Sequence, residues 1–158
     1  MTKNRETMSI DGLKELDKAL GAMPASTGKN VLRRVGKKAG QPIYDHFQRI
    51  APRGTTDRQH MADSGGVSTK LSRRQARAER KRQKDTVTIY IGPGPDPAAV
   101  QQEFGNINHG PQPSLTIAFE REKRNALEII KTDLGKEIKR AAERLARKQA
   151  RLAAKAVG

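Results

Sequence analysis

The 158-residue chain contains no cysteine and no tryptophan, and aromatic residues make up only 3% of it. The absence of cysteine excludes disulfide bonds and thiolate metal sites. The low aromatic content predicts a small, mostly aliphatic core and removes the stacking platforms that single-strand nucleic-acid binding usually uses. No long apolar run occurs, and the first ten residues, MTKNRETMSI, hold no apolar signal segment. We therefore expect a protein that is neither secreted nor inserted in a membrane.

Acidic residues are also scarce, since 17 Asp and Glu stand against 32 Lys and Arg, which gives a net charge of +15. A charge of this size attracts polyanions such as DNA, RNA, acidic proteins or anionic membranes. It is densest in KLSRRQARAERKRQK, at 70–84, where the cations are Lys70, Arg73, Arg74, Arg77, Arg80, Lys81, Arg82 and Lys84. Two interpretations of this run stay open: contact with the phosphates of a nucleic acid or with a partner, and a solvated linker.

Motifs of catalysis or ligand binding are missing from the sequence. The histidines His46, His60 and His109 form no i, i+4 pair and have no carboxylate cluster beside them. The prolines of GPGPDP remove the backbone donors that a phosphate-binding loop needs, and STGKN lacks the flanking residues of a P-loop. The sequence therefore predicts no enzyme, with no catalytic residue, no cofactor-binding residue and no metal ligand.

Hydrophobic periodicity predicts an α+β fold. Leu13, Leu16 and Leu20 recur at helical spacing, and a longer amphipathic helix is expected from Thr27 to Ile50. Pro42 lies inside that second pattern and is expected to kink the helix or divide it in two. Short strands are expected at 7–10 and, most clearly, at 86–91, where Val87, Ile89 and Ile91 alternate with polar residues or Tyr90. The segment 53–69 is expected to be a loop.

A long helix is predicted from about Ser114 to the C-terminus. Its apolar face runs through Phe119, Ala126, Ile130, Leu134, Ile138, Ala141, Leu145 and Leu152. Beyond residue 145 the sequence ARKQARLAAKAVG is rich in alanine and cations, and we expect it to project or fray. Its cations continue a series that recurs along the helix: Lys139, Arg140, Arg144, Arg147, Lys148, Arg151 and Lys155. The predicted organisation is one domain at 1–145, with a mobile basic loop at 53–85, and a basic extension at 146–158.

The order of short motifs resembles a family of tailed-bacteriophage neck proteins. The motifs are GLKEL near the N-terminus, Ala51-Pro52 after the second helix, Ile91-Gly92-Pro93 after a strand, EFG at 103–105 and PQPSLTIAFE at 111–120. They follow the order found in the head–tail joining and tail-completion proteins of long-tailed siphophages, and the resemblance covers Met8 to Leu145. Two residues depart from that pattern: Met61 replaces a more usual leucine, and Ser114 replaces a more usual aromatic residue.

The resemblance implies a structural virion protein, made in the host cytoplasm, that forms a homo-oligomeric ring in the neck or at the top of the tail. Six-fold symmetry is favoured and twelve-fold symmetry is possible. The implied neighbours are head-closure or connector proteins on one side and tail-terminator or tail-tube proteins on the other. The basic regions would then meet packaged DNA or the tape-measure protein.

The resemblance also implies that the stretch from 103 to 120 is a corner that serves architecture and assembly. Its motif residues are Glu103, Phe104, Gly105, Pro111, Pro113, Leu115 and Phe119. Glu103 and Phe104 are expected in a short strand, followed by a bend at Gly105 and an extended segment held by the two prolines. Ser114 is expected to cap the long helix, whose Phe119, Leu127 and Ile130 would point inward. Two roles stay open for Glu103, an exposed edge charge or an intersubunit ion pair, and two for Phe104, core or subunit contact.

A free cytoplasmic nucleic-acid-binding protein is the alternative that the charge alone supports. It predicts a monomer or dimer whose affinity for nucleic acid falls steeply as salt rises.

Overall fold

The computed structural model describes residues 13–53, 61–70, 73–78, 86–94 and 97–157. Its helices are α1 (Leu13–Gly21), α2 (Ala25–Ile50), α3 (Arg73–Ala78), α4 (Pro97–Phe104) and α5 (Ser114–Val157), with a 3-10 turn at Met61–Asp63. Two strands, β1 (Gly66–Ser68) and β2 (Tyr90–Gly92), pair antiparallel with Val67 opposite Ile91. The fold is therefore mostly helical α+β with a small antiparallel sheet and a long C-terminal helix, as predicted.

Helices α2 and α5 pack antiparallel and form most of the core. Residues at helical spacing along α2 are buried, from Val31 through Val35, Ala39 and Ile43 to Phe47. The buried positions of α5 are mostly small or aliphatic: Ala118, Ala126, Leu134, Ile138 and Ala141. Alanine lets the two helix backbones approach closely, so a chain with few large apolar residues can still bury a continuous seam.

Helix α2 runs unbroken through Pro42, so the expected division into two helices is wrong. Proline removes one backbone donor and crowds the preceding turn, which costs about 3 kcal/mol in a helix interior. The neighbouring Ala39 and Ile43 are both buried in the core cluster that joins α2 to α5 and the sheet. Packing on both sides of Pro42 therefore holds the helix together across the missing hydrogen bond.

The two-stranded sheet lies directly on α2 because α2 has glycine at the contact. A β-carbon at Gly40 would lie 2.9 Å from Val67 Cγ1 and 2.9 Å from Ile91 Cδ1. Tyr44, one turn further on, donates a buried hydrogen bond of 3.0 Å from its hydroxyl to the carbonyl of Ala62. The sheet and the 3-10 turn before it are thus both fastened to α2.

Several expected elements differ in the structure. The segment expected to be a loop at 53–69 contains the 3-10 turn and β1. Strand β2 begins only at Tyr90, so residues 86–89, which were expected to be strand, are not part of it. Pairing with the short β1, which ends at Ser68, limits the length of β2. Glu103 and Phe104 belong to α4 instead of a strand. The strand expected at 7–10 lies outside the described residues.

Candidate interaction surfaces

Glu103 caps the N-terminus of α5. Its carboxylate accepts hydrogen bonds from the backbone N–H of Leu115 at 3.0 Å and of Thr116 at 2.8 Å. The Thr116 hydroxyl donates a third hydrogen bond of 2.6 Å to the same carboxylate. The first N–H groups of a helix have no partner within the helix and carry partial positive charge, so a carboxylate is well suited to this position. The cap joins the end of α4 to the start of α5 across the corner.

This cap corrects two sequence-based expectations. Ser114 was the expected cap, but it is only 5% exposed and its hydroxyl has no hydrogen-bond partner among the described residues. Glu103 is not an unengaged edge charge, because both of its oxygens accept bonds from α5. An intersubunit ion pair of Glu103 would compete with these bonds and stays a prediction. Local sequence patterns did not predict this cap, because Glu103 and Thr116 are thirteen residues apart in the chain.

The loop between α4 and α5 is closed on itself by hydrogen bonds. Gly105 has φ of +79°, a conformation that favours glycine, and its N–H donates to the carbonyl of Gln101 at 2.7 Å. The side-chain oxygen of Asn106 accepts bonds from the backbone N–H groups of Asn108 and His109, at 2.8 and 3.0 Å. The N–H of Gln112, between Pro111 and Pro113, donates to the carbonyl of Gln102 at 2.7 Å. The predicted bend at Gly105 is confirmed, and the corner is a defined structure.

This ordered corner exposes large apolar side chains. Phe104 is 76% exposed, Val100 is 61% exposed and Ile107, at the tip of the loop, is completely exposed. Phe119 is half-exposed, so the expectation that it points inward is wrong, and its neighbour Ala118 takes the buried position. Leu115 is partly buried and packs against the core. We call Val100, Phe104 and Ile107 the corner patch. The core role left open for Phe104 is excluded, and a subunit contact stays a prediction.

The predicted basic loop is described only in part. Lys70 follows β1 and is exposed, with its N–H donating to the Ser68 hydroxyl at 3.0 Å. Arg73 and Arg77 are exposed on α3, which also contains Arg74. Arg80, Lys81, Arg82 and Lys84 lie outside the described residues. The contact with DNA or a partner that the sequence predicts for this run therefore stays a prediction.

Two ion pairs and one histidine–carboxylate contact connect α2 to α5. Arg34 pairs with Glu137 at 2.9 Å, Lys38 pairs with Asp133, and His46 Nδ1 lies 3.2 Å from Glu122. The hydrogen bond from Lys38 lowers the pKa of Asp133, and that from Arg140, helped by the charge of Arg34, lowers the pKa of Glu137. These carboxylates of α5 are thus held in their charged form by cations.

A row of cations follows Glu137 along α5. Arg140, Arg144, Arg147, Lys148, Arg151 and Lys155 recur at steps of three and four residues, apart from the adjacent pair 147 and 148, and all are exposed. The beginning of the row, with Arg34, lines an open cleft around Glu137. The other side of the helix carries Ala142, Ala146 and Gln149.

Three further observations limit what the described part of the chain offers. No three His, Cys, Asp or Glu side chains within it lie close enough to hold a metal ion. None of its helices is long and apolar enough to cross a membrane. Comparison with known protein families, with curated proteins and with solved structures finds no match to this chain.

Proposed function

We propose that this protein is a structural component of a tailed-phage virion, whose copies form a closed ring at the head–tail junction or at the top of the tail. In this role it completes the tail and joins it to the head. The order of sequence motifs from GLKEL to PQPSLTIAFE supports the assignment to the neck. The proposed neighbours are a connector or head-closure protein on the head side and a terminator or tube protein on the tail side.

The corner patch is the observation that carries the proposal. Phe104 and Ile107 expose large apolar surfaces on a segment that hydrogen bonds hold in place. Ordering a loop on binding costs free energy, so an apolar surface that is already ordered binds a partner with a smaller entropic cost. A cyclic ring repeats one heterologous interface, in which this patch would meet a different surface of the next copy.

The small sheet gives a second reason for assembly. Strands β1 and β2 have three residues each, and a two-stranded sheet of this size is marginal in water without packing against another element. Here α2 covers one face. A neighbouring subunit that covers further surface would stabilise the sheet by mass action, as partners that bind only the folded state do.

The test is to determine whether the chain is present in virions and where it lies. Cryo-electron microscopy of the source phage, with the neck reconstructed under cyclic symmetry, is expected to show this chain as a six-fold or twelve-fold ring. A double variant, Phe104→Ser with Ile107→Ser, is expected to fold but to be missing from virions. The matched control is Ile50→Ser with Leu152→Ser, two exposed apolar residues that do not belong to the corner patch.

Absence of the native chain from purified virions would overturn the neck assignment. It would favour the free nucleic-acid-binding protein, which predicts a monomer or dimer in solution. Normal incorporation of the Phe104 and Ile107 double variant would leave the virion role standing and would remove the corner patch as the ring interface.

A further inference from the structure

Helix α5 is much longer than the helix it packs on. The pairs Arg34–Glu137 and Lys38–Asp133 define the antiparallel register between α2 and α5. Extending this register places the first residue of α2, Ala25, opposite position 146 of α5. Residues 147–157 therefore extend about 16 Å past the start of α2, at a rise of 1.5 Å per residue.

The exposed end of α5 presents cations on the same side of the helix as the carboxylates that pair with α2. At 100° per residue, Arg144, Arg151 and Lys155 fall on the same side of the helix as Asp133 and Glu137. We call Arg144, Arg147, Lys148, Arg151 and Lys155 the C-terminal stripe. Within the described residues, no ion pair involves the last four of these side chains. The single acidic residue after Glu137 in the sequence is Glu143, which lines a cleft with Arg144 and Arg147 at the start of the stripe.

We propose that the C-terminal stripe binds the phosphate backbone of duplex DNA. It spans about 16 Å, which matches about five base pairs at 3.4 Å per pair. A helix holds its cations at fixed spacing, and this suits a regular array of phosphates better than a flexible acidic chain. No aromatic residue follows Phe119, so the stripe has no side chain on which unpaired bases could stack. The choice of DNA among polyanions rests on the proposed function. The presence of the stripe is an observation that does not depend on that function.

The experiment compares two variants of equal charge in the full chain. The stripe variant is Arg147→Gln, Lys148→Gln, Arg151→Gln and Lys155→Gln. The control variant is Arg121→Gln, Arg124→Gln, Lys131→Gln and Lys139→Gln, which removes the same residue types from exposed positions on the opposite side of α5. Glutamine forms helices about as well as lysine and arginine, and circular dichroism checks that helicity is kept.

Binding is measured by fluorescence anisotropy with a 20-base-pair duplex of arbitrary sequence over a series of salt concentrations. The slope of log K against log salt is expected to become shallower by about 3 to 4 in the stripe variant, at about 0.9 for each phosphate that is no longer neutralised. Affinity is expected to fall at least about tenfold in low salt, because four charge-assisted interactions with phosphate are removed. The control variant is expected to keep the parent slope and to stay within about threefold of the parent affinity.

Three results would overturn the proposal. The first is an equal decrease of affinity in the stripe and control variants, which would show that net charge alone matters. The second is a decrease only in a variant of the basic loop, with Arg73, Arg74, Arg77, Arg80, Lys81 and Arg82 changed to Gln. The third is tighter binding of polyglutamate than of DNA at equal charge. None of these results depends on finding the chain in virions. A failure of the DNA-binding proposal can therefore be distinguished from a failure of the neck assignment.

Discussion

Glu103, at the end of α4, holds the first turn of α5 by accepting a 2.8 Å hydrogen bond from the N–H of Thr116, thirteen residues later in the chain. The same carboxylate also bonds the N–H of Leu115 and the hydroxyl of Thr116. One side chain therefore ties the end of α4 to the first turn of the 44-residue helix α5. The position of the corner patch relative to the α2–α5 core depends on this contact.

Replacing Glu103 by alanine is expected to lower the free energy of unfolding by about 1 to 2 kcal/mol. Removal of a helix cap costs about 1 kcal/mol, and removal of a negative charge at a helix N-terminus adds to it. Urea unfolding followed by circular dichroism measures the change. Glu120→Ala is the control, because Glu120 makes an exposed ion pair with Lys123 on the same helix. Equal changes in the two variants would contradict the capping role.

Gly40 and Gly135 are expected to respond to alanine in opposite directions, although both lie inside helices. At Gly135 a β-carbon would make an ordinary 3.7 Å contact with Leu16 Cδ2, so the gain in helix propensity, about 1 kcal/mol, stabilises the protein. At Gly40 the β-carbon would press on both strands at 2.9 Å. Overpacking costs about 1 to 3 kcal/mol, so the net change there is destabilising.

Thermal unfolding of the Gly40→Ala and Gly135→Ala variants measures this difference. Exchange of the amide hydrogens of β1 and β2 shows whether the destabilisation at Gly40 is located in the sheet. A stabilised Gly40→Ala protein with unchanged sheet protection would contradict the close packing of the sheet on α2.

Stability is expected to fall in acid because the carboxylates of α5 pair with cations. The pKa of Asp133 is lowered from its ordinary 3.8 by the hydrogen bond and charge of Lys38, and that of Glu137 is lowered from 4.5 mainly by Arg140. A lowered pKa in the folded state stabilises the protein above the ordinary pKa, and this contribution is lost as pH falls through the folded value. The free energy of unfolding should therefore decrease below about pH 5.

Variants of the Lys38–Asp133 pair test the origin of this pH dependence. Asp133→Asn and Lys38→Gln should each make the decrease in acid shallower, because each removes the interaction that favours the charged carboxylate. The double variant should be no shallower than Asp133→Asn alone. Additive effects of the two substitutions on the pH dependence would show that the residues act separately.

Tyr44→Phe is expected to destabilise the protein by about 1 kcal/mol. The substitution removes the donor to the carbonyl of Ala62, which is buried and is left without that partner. Burial also raises the pKa of the Tyr44 hydroxyl, so this group stays protonated as a donor. Urea unfolding gives the change in free energy, and faster amide exchange in the 3-10 turn at Met61–Asp63 locates it. An unchanged exchange rate there would contradict the fastening role of the hydrogen bond.

Periodicity in the sequence predicted the two long helices well because a helix repeats its contacts every three or four residues. Its detail is less regular at the margin of the apolar face of α2, where Ile50 is exposed and Tyr44 is buried. The strand expected at Glu103 and Phe104 is wrong. Ala98, Ala99 and Gln101 favour a helix, and this helix continues through Glu103 and Phe104.

The sequence by itself determined the helical core, the cationic surface and the bend at Gly105, because composition, apolar spacing and glycine act within a few residues of chain. Only the tertiary structure decided which group caps α5, why α2 survives Pro42 and why the sheet requires glycine at position 40. Each of these depends on atoms that are distant in sequence and become neighbours only when helices, strands and loop close on one another. No local pattern records such distances, since they are set by the packing of the whole domain.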